Sequence, residues 1–161
     1  PYEIFSMDLS GDIIYPDSSF HISLLQDQLI VSGDANTFYD TTYIWAKPIT
    51  TSLPLEGEII SGPYELKPYL IPFNDEIQLN IAVESINSIK HLGIYHYNQK
   101  KFIWQYLPTQ LSLDSLYITT SILSGEIFAV IKEYNPPEFS LLQPHLGLIL
   151  ISLLFLCLFL A

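Results

Sequence analysis

The chain has 161 residues, with 17 Asp and Glu against 6 Lys and no Arg, a formal charge of −11 and one cysteine. That length allows one domain with a sizeable core, or a domain plus a short appendage. The charge argues against nucleic acid as a partner, because phosphate binding needs a basic stripe, and one cysteine excludes a disulfide framework and a Cys-based zinc site.

Residues 1–19 are rich in Asp, Ser, Gly and Pro and read as an irregular lead-in with one short strand around Ile13–Tyr15. From Phe20 the pattern becomes a series of short β segments. Phe20–Leu24 and Leu29–Val31 flank the polar Gln26-Asp27-Gln28, and Ser32–Asn36 is a turn cluster. Thr41–Ala46 is dense in β-branched and aromatic residues and is expected to stop at Lys47-Pro48, where proline removes a ladder donor. Glu58–Ile60 reads as an edge strand, and Tyr64–Leu70, interrupted by Pro68, as another edge strand or two broken pieces.

Ile77–Val83 alternates apolar and polar residues, the period of a half-buried strand. Leu92–Tyr97 and Lys101–Leu107, joined by Asn98-Gln99-Lys100, read as a hairpin. Leu116–Leu123 and Glu126–Glu133 read as a second hairpin-like pair about Ser124-Gly125, and Pro136-Pro137 closes the domain. About eight strands without an amphipathic helix predict an all-β fold, an antiparallel β-sandwich over residues 20–135; a closed barrel is the alternative.

After a Pro-containing linker at 136–145, Leu146–Ala161 (LGLILISLLFLCLFLA) is apolar except for Gly147 and Ser152. As a helix it would span about 24 Å, against a hydrocarbon core of about 30 Å. No polar face interrupts it, which excludes an interfacial amphipathic helix. The expectation is a C-terminal hydrophobic helix that anchors the chain in a membrane; a removable lipid-anchor signal and a buried core segment are the competing readings. The start at Pro1, without an initiator methionine or a signal sequence, points to a processed chain or a fragment.

Catalytic spacing is hard to find. His91 and His96 are five apart, which on a strand puts them on opposite faces; His21 and His145 stand alone. Asp8, Asp12 and Asp17, then Asp34 and Asp40, then Asp75-Glu76 fit no calcium loop, and read as a solvated acidic rim or as loop oxygens that the fold brings to one cation. Neither a nucleophile elbow nor a phosphate-cradling glycine loop occurs. Glu84, Glu126 and Glu133 give no glycosidase pair by spacing. No catalytic residue, metal or cofactor is assigned. The remaining candidate is aromatic: Tyr95, Tyr97, Trp104 and Tyr106 form either an exposed binding platform on one hairpin or the core of one sheet.

Four places carry a resemblance: Asp40–Ile44, Gly62–Pro68, Gly93–Tyr97 with Phe102–Leu107, and Gly125–Val130 followed by Pro136-Pro137. Together, over roughly 95 residues, they resemble the immunoglobulin-like β-sandwich accessory domains of large exported bacterial cell-envelope proteins, including those attached to lysostaphin-type peptidoglycan endopeptidases. In that family the zinc enzyme is a separate domain, whose His-x-x-x-Asp and His-x-His ligand motifs are absent from this sequence. The resemblance implies an extracytoplasmic, non-catalytic binding, spacer or assembly module. Its partner would be a protein or a cell-wall glycan, and its membrane contact would run through Leu146–Ala161. The alternatives are an accessory region of a zinc endopeptidase whose catalytic domain lies elsewhere, or a subunit of a membrane complex.

Overall fold

The structure, a computed structural model, describes residues 9–50, 57–69, 71–83, 91–111 and 116–132. Among these there is no helix but eleven strands: β1 Ser10–Ile14, β2 Phe20–Leu24, β3 Leu29–Gly33, β4 Thr42–Pro48, β5 Glu58–Lys67, β6 Ile77–Ala82, β7 Leu92–Asn98, β8 Ile103–Leu107, β9 Thr109–Leu111, β10 Tyr117–Ile122 and β11 Ile127–Lys132. They form two antiparallel sheets, one of six strands ordered β1-β4-β5-β11-β7-β8 and one of five ordered β2-β3-β6-β10-β9. The linker expected at 136–145 and the hydrophobic helix expected at Leu146–Ala161 lie outside the described residues.

The sandwich follows from residue alternation. Ile22 and Leu24, Leu29 and Val31, Ile77, Leu79 and Ile81, and Ile118 and Ile122 point inward from the five-stranded sheet. Ile14, Ile44, Ala46, Leu66, Ile94, Phe128 and Val130 meet them from the other, in one shared core. Burying two half-apolar faces against each other is the solution open to such strands. Phe20, Phe38 and Phe73 close one end, with ring centroids 5.7 and 4.9 Å apart along the series.

Three expectations need correction. The two pieces expected at 58–60 and 64–70 are one ten-residue strand, β5, and it is not an edge: it lies between β4 and β11. Proline is tolerated there because Pro63 sits where the β5–β11 register slips, so no ladder N–H is required of it. Its carbonyl still accepts the Ile49 N–H at 2.9 Å. Secondly, β4 runs through Lys47 and Pro48, which pair with Glu65 and Tyr64. Thirdly, β10 and β11 are not a hairpin, since they belong to different sheets. The Ser124-Gly125 connection crosses between layers. A Cβ on Gly125 would lie 2.3 Å from the Pro68 carbonyl oxygen, so the crossing demands glycine. The short β9, just after Pro108, goes beyond the expected strands.

The turn between β2 and β3 stores strain. Leu25, Gln26 and Asp27 take φ values of 54°, 56° and 65°, three successive non-glycine residues in the left-handed region. The turn is held by the Asp27 carboxylate, which accepts from Ser23 Oγ, and by the Tyr117 hydroxyl, which donates to the Asp27 carbonyl at 3.1 Å. Gln26→Gly is therefore expected to stabilise the fold by about 1 kcal/mol or somewhat less, relief of left-handed strain outweighing the entropy of glycine. Urea denaturation measures it; a lower midpoint with unchanged slope refutes it.

Candidate functional site

The hairpin β7–β8 carries the aromatic candidates. Its register sets Tyr95 against Tyr106 and Tyr97 against Trp104, so all four side chains share the outward face of the six-stranded sheet. Tyr95 and Tyr106 meet edge-on with centroids 5.4 Å apart, and Tyr97 and Trp104 meet tilted at 5.3 Å. The four are not equally accessible. Tyr95 and Tyr97 are buried, at 5% and 6% exposure, whereas Trp104 and Tyr106 are half-buried.

Residues of central strands continue this layer. Ala129 and Ile131 of β11 are buried on the same outward face and cluster with Tyr95, flanked by Ile59, Trp104 and Tyr106. Gly93 makes room for it: a Cβ there would approach the Tyr106 ring to 2.7 Å. The Tyr106 hydroxyl accepts the Thr109 N–H at 3.1 Å, which pins the ring where the chain leaves one sheet for the other. The Trp104 indole N–H is buried and has no acceptor among the described residues. Towards the other edge Trp45 is half-buried, and Tyr43 and Ile13 are exposed at 50% and 51%. The opposite outward face, that of the five-stranded sheet, is more polar. It presents Ser23, Ser32, Gln78, Asn80, Thr119 and Ser121, with half-buried Ile30 and Tyr117 among them and Thr119 Oγ1 donating to Asn80 Oδ1 at 2.6 Å.

Charge enters the apolar face at one point. Glu65 accepts from Lys47 Nζ at 2.8 Å and lies 3.4 Å from Lys67 Nζ. Lys67 also sits 3.1 Å from the centroid of the Tyr69 ring, a cation–π contact. Burial by itself raises the Glu65 carboxyl, but Lys47, the neighbouring Tyr69 hydroxyl and Lys67 more than offset it and hold the group below its ordinary range. Tyr69 is pushed the other way, far above the usual phenol range, by burial and then by the Glu65 carboxylate. It is a neutral hydroxyl at any physiological pH.

Beside Tyr69 a cleft of about 250 Å³ opens between the β7–β8 turn and the β10–β11 crossing. The imidazole of His96 meets the Glu126 carboxylate there, and Ser124 Oγ reaches the other carboxylate oxygen at 3.4 Å. Of the carboxylates weighed as an acid–base set, only Glu126 lies among the described residues, so Glu84 and Glu133 are not placed. The acidic loops do not gather: the Asp12 carboxylate accepts the Ile13 N–H, that of Asp75 the Glu76 N–H, and no group of three or more His, Cys, Asp or Glu able to hold a metal ion occurs among the described residues. His21 lies on the polar face, and His91 precedes β7 with φ 77°. Spacing had no means of pairing His96 with Glu126 or of bringing Tyr69 to them, because three separate elements deliver these residues. No protein-family model and no curated protein matches this sequence.

Because the Glu65 carboxyl ionises more readily folded than unfolded, its charged form stabilises the fold at neutral pH, and that contribution disappears as pH falls through the folded value. Glu65→Gln should lower stability at neutral pH by about 1 kcal/mol or less, as expected for a partly exposed ion pair. The gap to the parent should close once pH drops below the carboxylate range. Urea midpoints measured across pH check this; a gap that persists in acid would assign the loss to packing.

Proposed function

We propose that the chain is a non-catalytic assembly module of an exported, membrane-anchored cell-envelope protein, of the immunoglobulin-like accessory type, and that it docks a protein partner on the outward face of its six-stranded sheet. The observation that carries this reading is the contrast between the two outward faces. An antiparallel sheet that meets water alternates apolar-in with polar-out, and the five-stranded sheet largely does so with Ser, Thr, Asn and Gln, Ile30 and Tyr117 being the larger apolar side chains among its described residues. The six-stranded sheet instead turns out Tyr43, Trp45, Ile59, Trp104 and Tyr106. Aromatic residues are enriched in the buried centres of protein interfaces, where charged groups are sparse. The Lys47–Glu65–Lys67 group is the sort of polar feature that fixes orientation without dominating affinity. The apolar run Leu146–Ala161 supports anchoring, since each Leu, Ile or Phe near a helix centre favours insertion by about 0.3–0.6 kcal/mol.

Two measurements test the two halves of this reading. Removal of residues 146–161 is expected to move the chain from the membrane to the soluble fraction; an unchanged soluble distribution would refute anchoring. For the contact face, Tyr43→Cys and Ser23→Cys are each made in a Cys157→Ser background and labelled with a maleimide. In intact envelopes the label at position 43 should attach several-fold more slowly than in the purified chain, while position 23 reacts equally in both. Equal rates at position 43 would remove the docking role.

A further inference from the structure

We infer that the cleft between Tyr69, the β7–β8 turn and the Gly125–Glu126 crossing is a binding site for a single neutral sugar ring. This site adjoins the contact face through Tyr97 and does not rest on the assembly reading.

The cleft is built before any ligand arrives. Its far wall is fixed because Gly125 packs against the Pro68 and Leu66 carbonyls, Tyr69 bridges to Gly125, and the Leu66 N–H donates to the Glu126 carbonyl at 2.8 Å. The near wall is the turn after β7. The Asn98 side-chain oxygen accepts the Lys100 and Lys101 N–H groups, both at 3.1 Å, while its amide nitrogen donates to Gln105 at 2.8 Å. Asn98 is fully engaged in holding the loop, so Gln99 and Lys100 are the side chains the turn presents to a ligand. A preformed site avoids the ordering entropy that weakens binding by mobile loops.

The hydrogen-bonding inventory selects the ligand. A carboxylate such as Glu126 only accepts, an ammonium such as Lys100 only donates, and the amide of Gln99 does both. The Tyr69 hydroxyl is buried beside Glu65 and Gln99, so this residue offers a ligand its ring rather than its hydroxyl. A ligand serving acceptor-only and donor-only groups within one small space needs groups that both donate and accept, and hydroxyls are that group. Charge points the same way. Glu126 and Lys100 line the cleft together, so an anion would meet the carboxylate and a cation the ammonium. The phenol ring of Tyr69, with the small exposed part of Tyr97 beside it, lines the same space and offers apolar surface for the C–H face of a sugar. At about 250 Å³ the cleft is smaller than the usual pocket for a drug-sized ligand, which limits the occupant to about one ring.

The test titrates the full chain, in a detergent without a sugar headgroup, with methyl glucoside, methyl galactoside and N-acetylglucosamine. Backbone amide shifts are the readout. Saturable shifts centred on Gln99, Lys100 and Gly125 are expected with at least one sugar, at millimolar affinity, as befits one ring and a few hydrogen bonds. Gln99→Ala should weaken it about tenfold, the loss of one hydrogen bond to a polar group, and Tyr69→Leu, which removes the ring, should weaken it several-fold. Trp45→Phe, on the contact face, should leave it unchanged. Should Tyr69→Leu disturb the fold, Gln99→Ala on the exposed turn still decides. No saturable shift at this cluster up to tens of millimolar overturns the inference. So does a preference for acetate, for an alkylamine or for a blocked glycine amide, which would assign the cleft to an ion or to a peptide. Loss of sugar binding with normal maleimide protection at position 43 would count against the cleft alone.

Discussion

Burial of β11 on both of its faces is the constraint on which the rest of the molecule depends. Five of its six residues, IFAVI, are buried, and the strand runs between β5 and β7 in the middle of the six-stranded sheet. Phe128 and Val130 seal the core between the sheets; Ala129 and Ile131 seat the aromatic layer outside. Fully burying a Val, Ile or Phe side chain is worth about 1.5–3 kcal/mol, whereas the best ion pair on this sheet, Lys47–Glu65, belongs to a class worth about 1 kcal/mol or less. Apolar packing therefore decides where the strand lies. The charges only decorate it.

That placement has consequences at both ends of the strand. Before Ile127 the chain must cross from the five-stranded to the six-stranded sheet in the few residues after Ile122, and it can do so only by pressing a glycine against the end of β5. The same crossing delivers Glu126 to His96 and lays Gly125 beside Tyr69. The cleft is thus a by-product of the tight crossing, which fixes one wall, while the hydrogen bonds of Asn98 hold the other. On the outward face, small residues at the centre, Ala129 and Gly93, leave room for the rings of β7 and β8 to pack against one another. Tyr95 and Tyr97 are buried beneath this layer while Trp104 and Tyr106 remain at its rim.

Legibility in the sequence follows the range of the interaction. β6 was readable because Ile77, Leu79 and Ile81 alternate with polar residues, and that period needs no partner to be seen. The β7–β8 hairpin was readable because its register is set by a local turn, and the two-residue spacing of Tyr95 with Tyr97, and of Trp104 with Tyr106, put four aromatics on one face. Local pattern misled where the partner was distant. β10 and β11 are separated by a short polar break, which looks like a hairpin turn, yet β11 finds β5 and β7 instead. β5 carries two prolines in or next to it and reads as broken, but a register shift absorbs one and the strand ends before the other. The cleft was illegible for the same reason: Tyr69, His96 and Glu126 share no local pattern and meet only through non-local pairing.

The two outward faces also show which surface is constrained by the fold and which is not. Polar residues on the five-stranded sheet are what exposure to water requires, so Ser23, Gln78 and Ser121 need no further explanation. Tyr95, Ala129 and Ile131 are explained by burial within their own layer. Neither argument covers Tyr43 and Ile13, which lie far along the same sheet from that cluster and stand about half exposed. A scattered exposed apolar side chain is ordinary, but Ile13 and Tyr43 lie side by side with Trp45 next to them, and the Lys47–Glu65–Lys67 group stands between this patch and the Tyr95 cluster. An exposed apolar patch that the core does not use fits the proposed contact face, and this edge patch, together with the aromatic layer beyond the charged group, sets the six-stranded sheet apart.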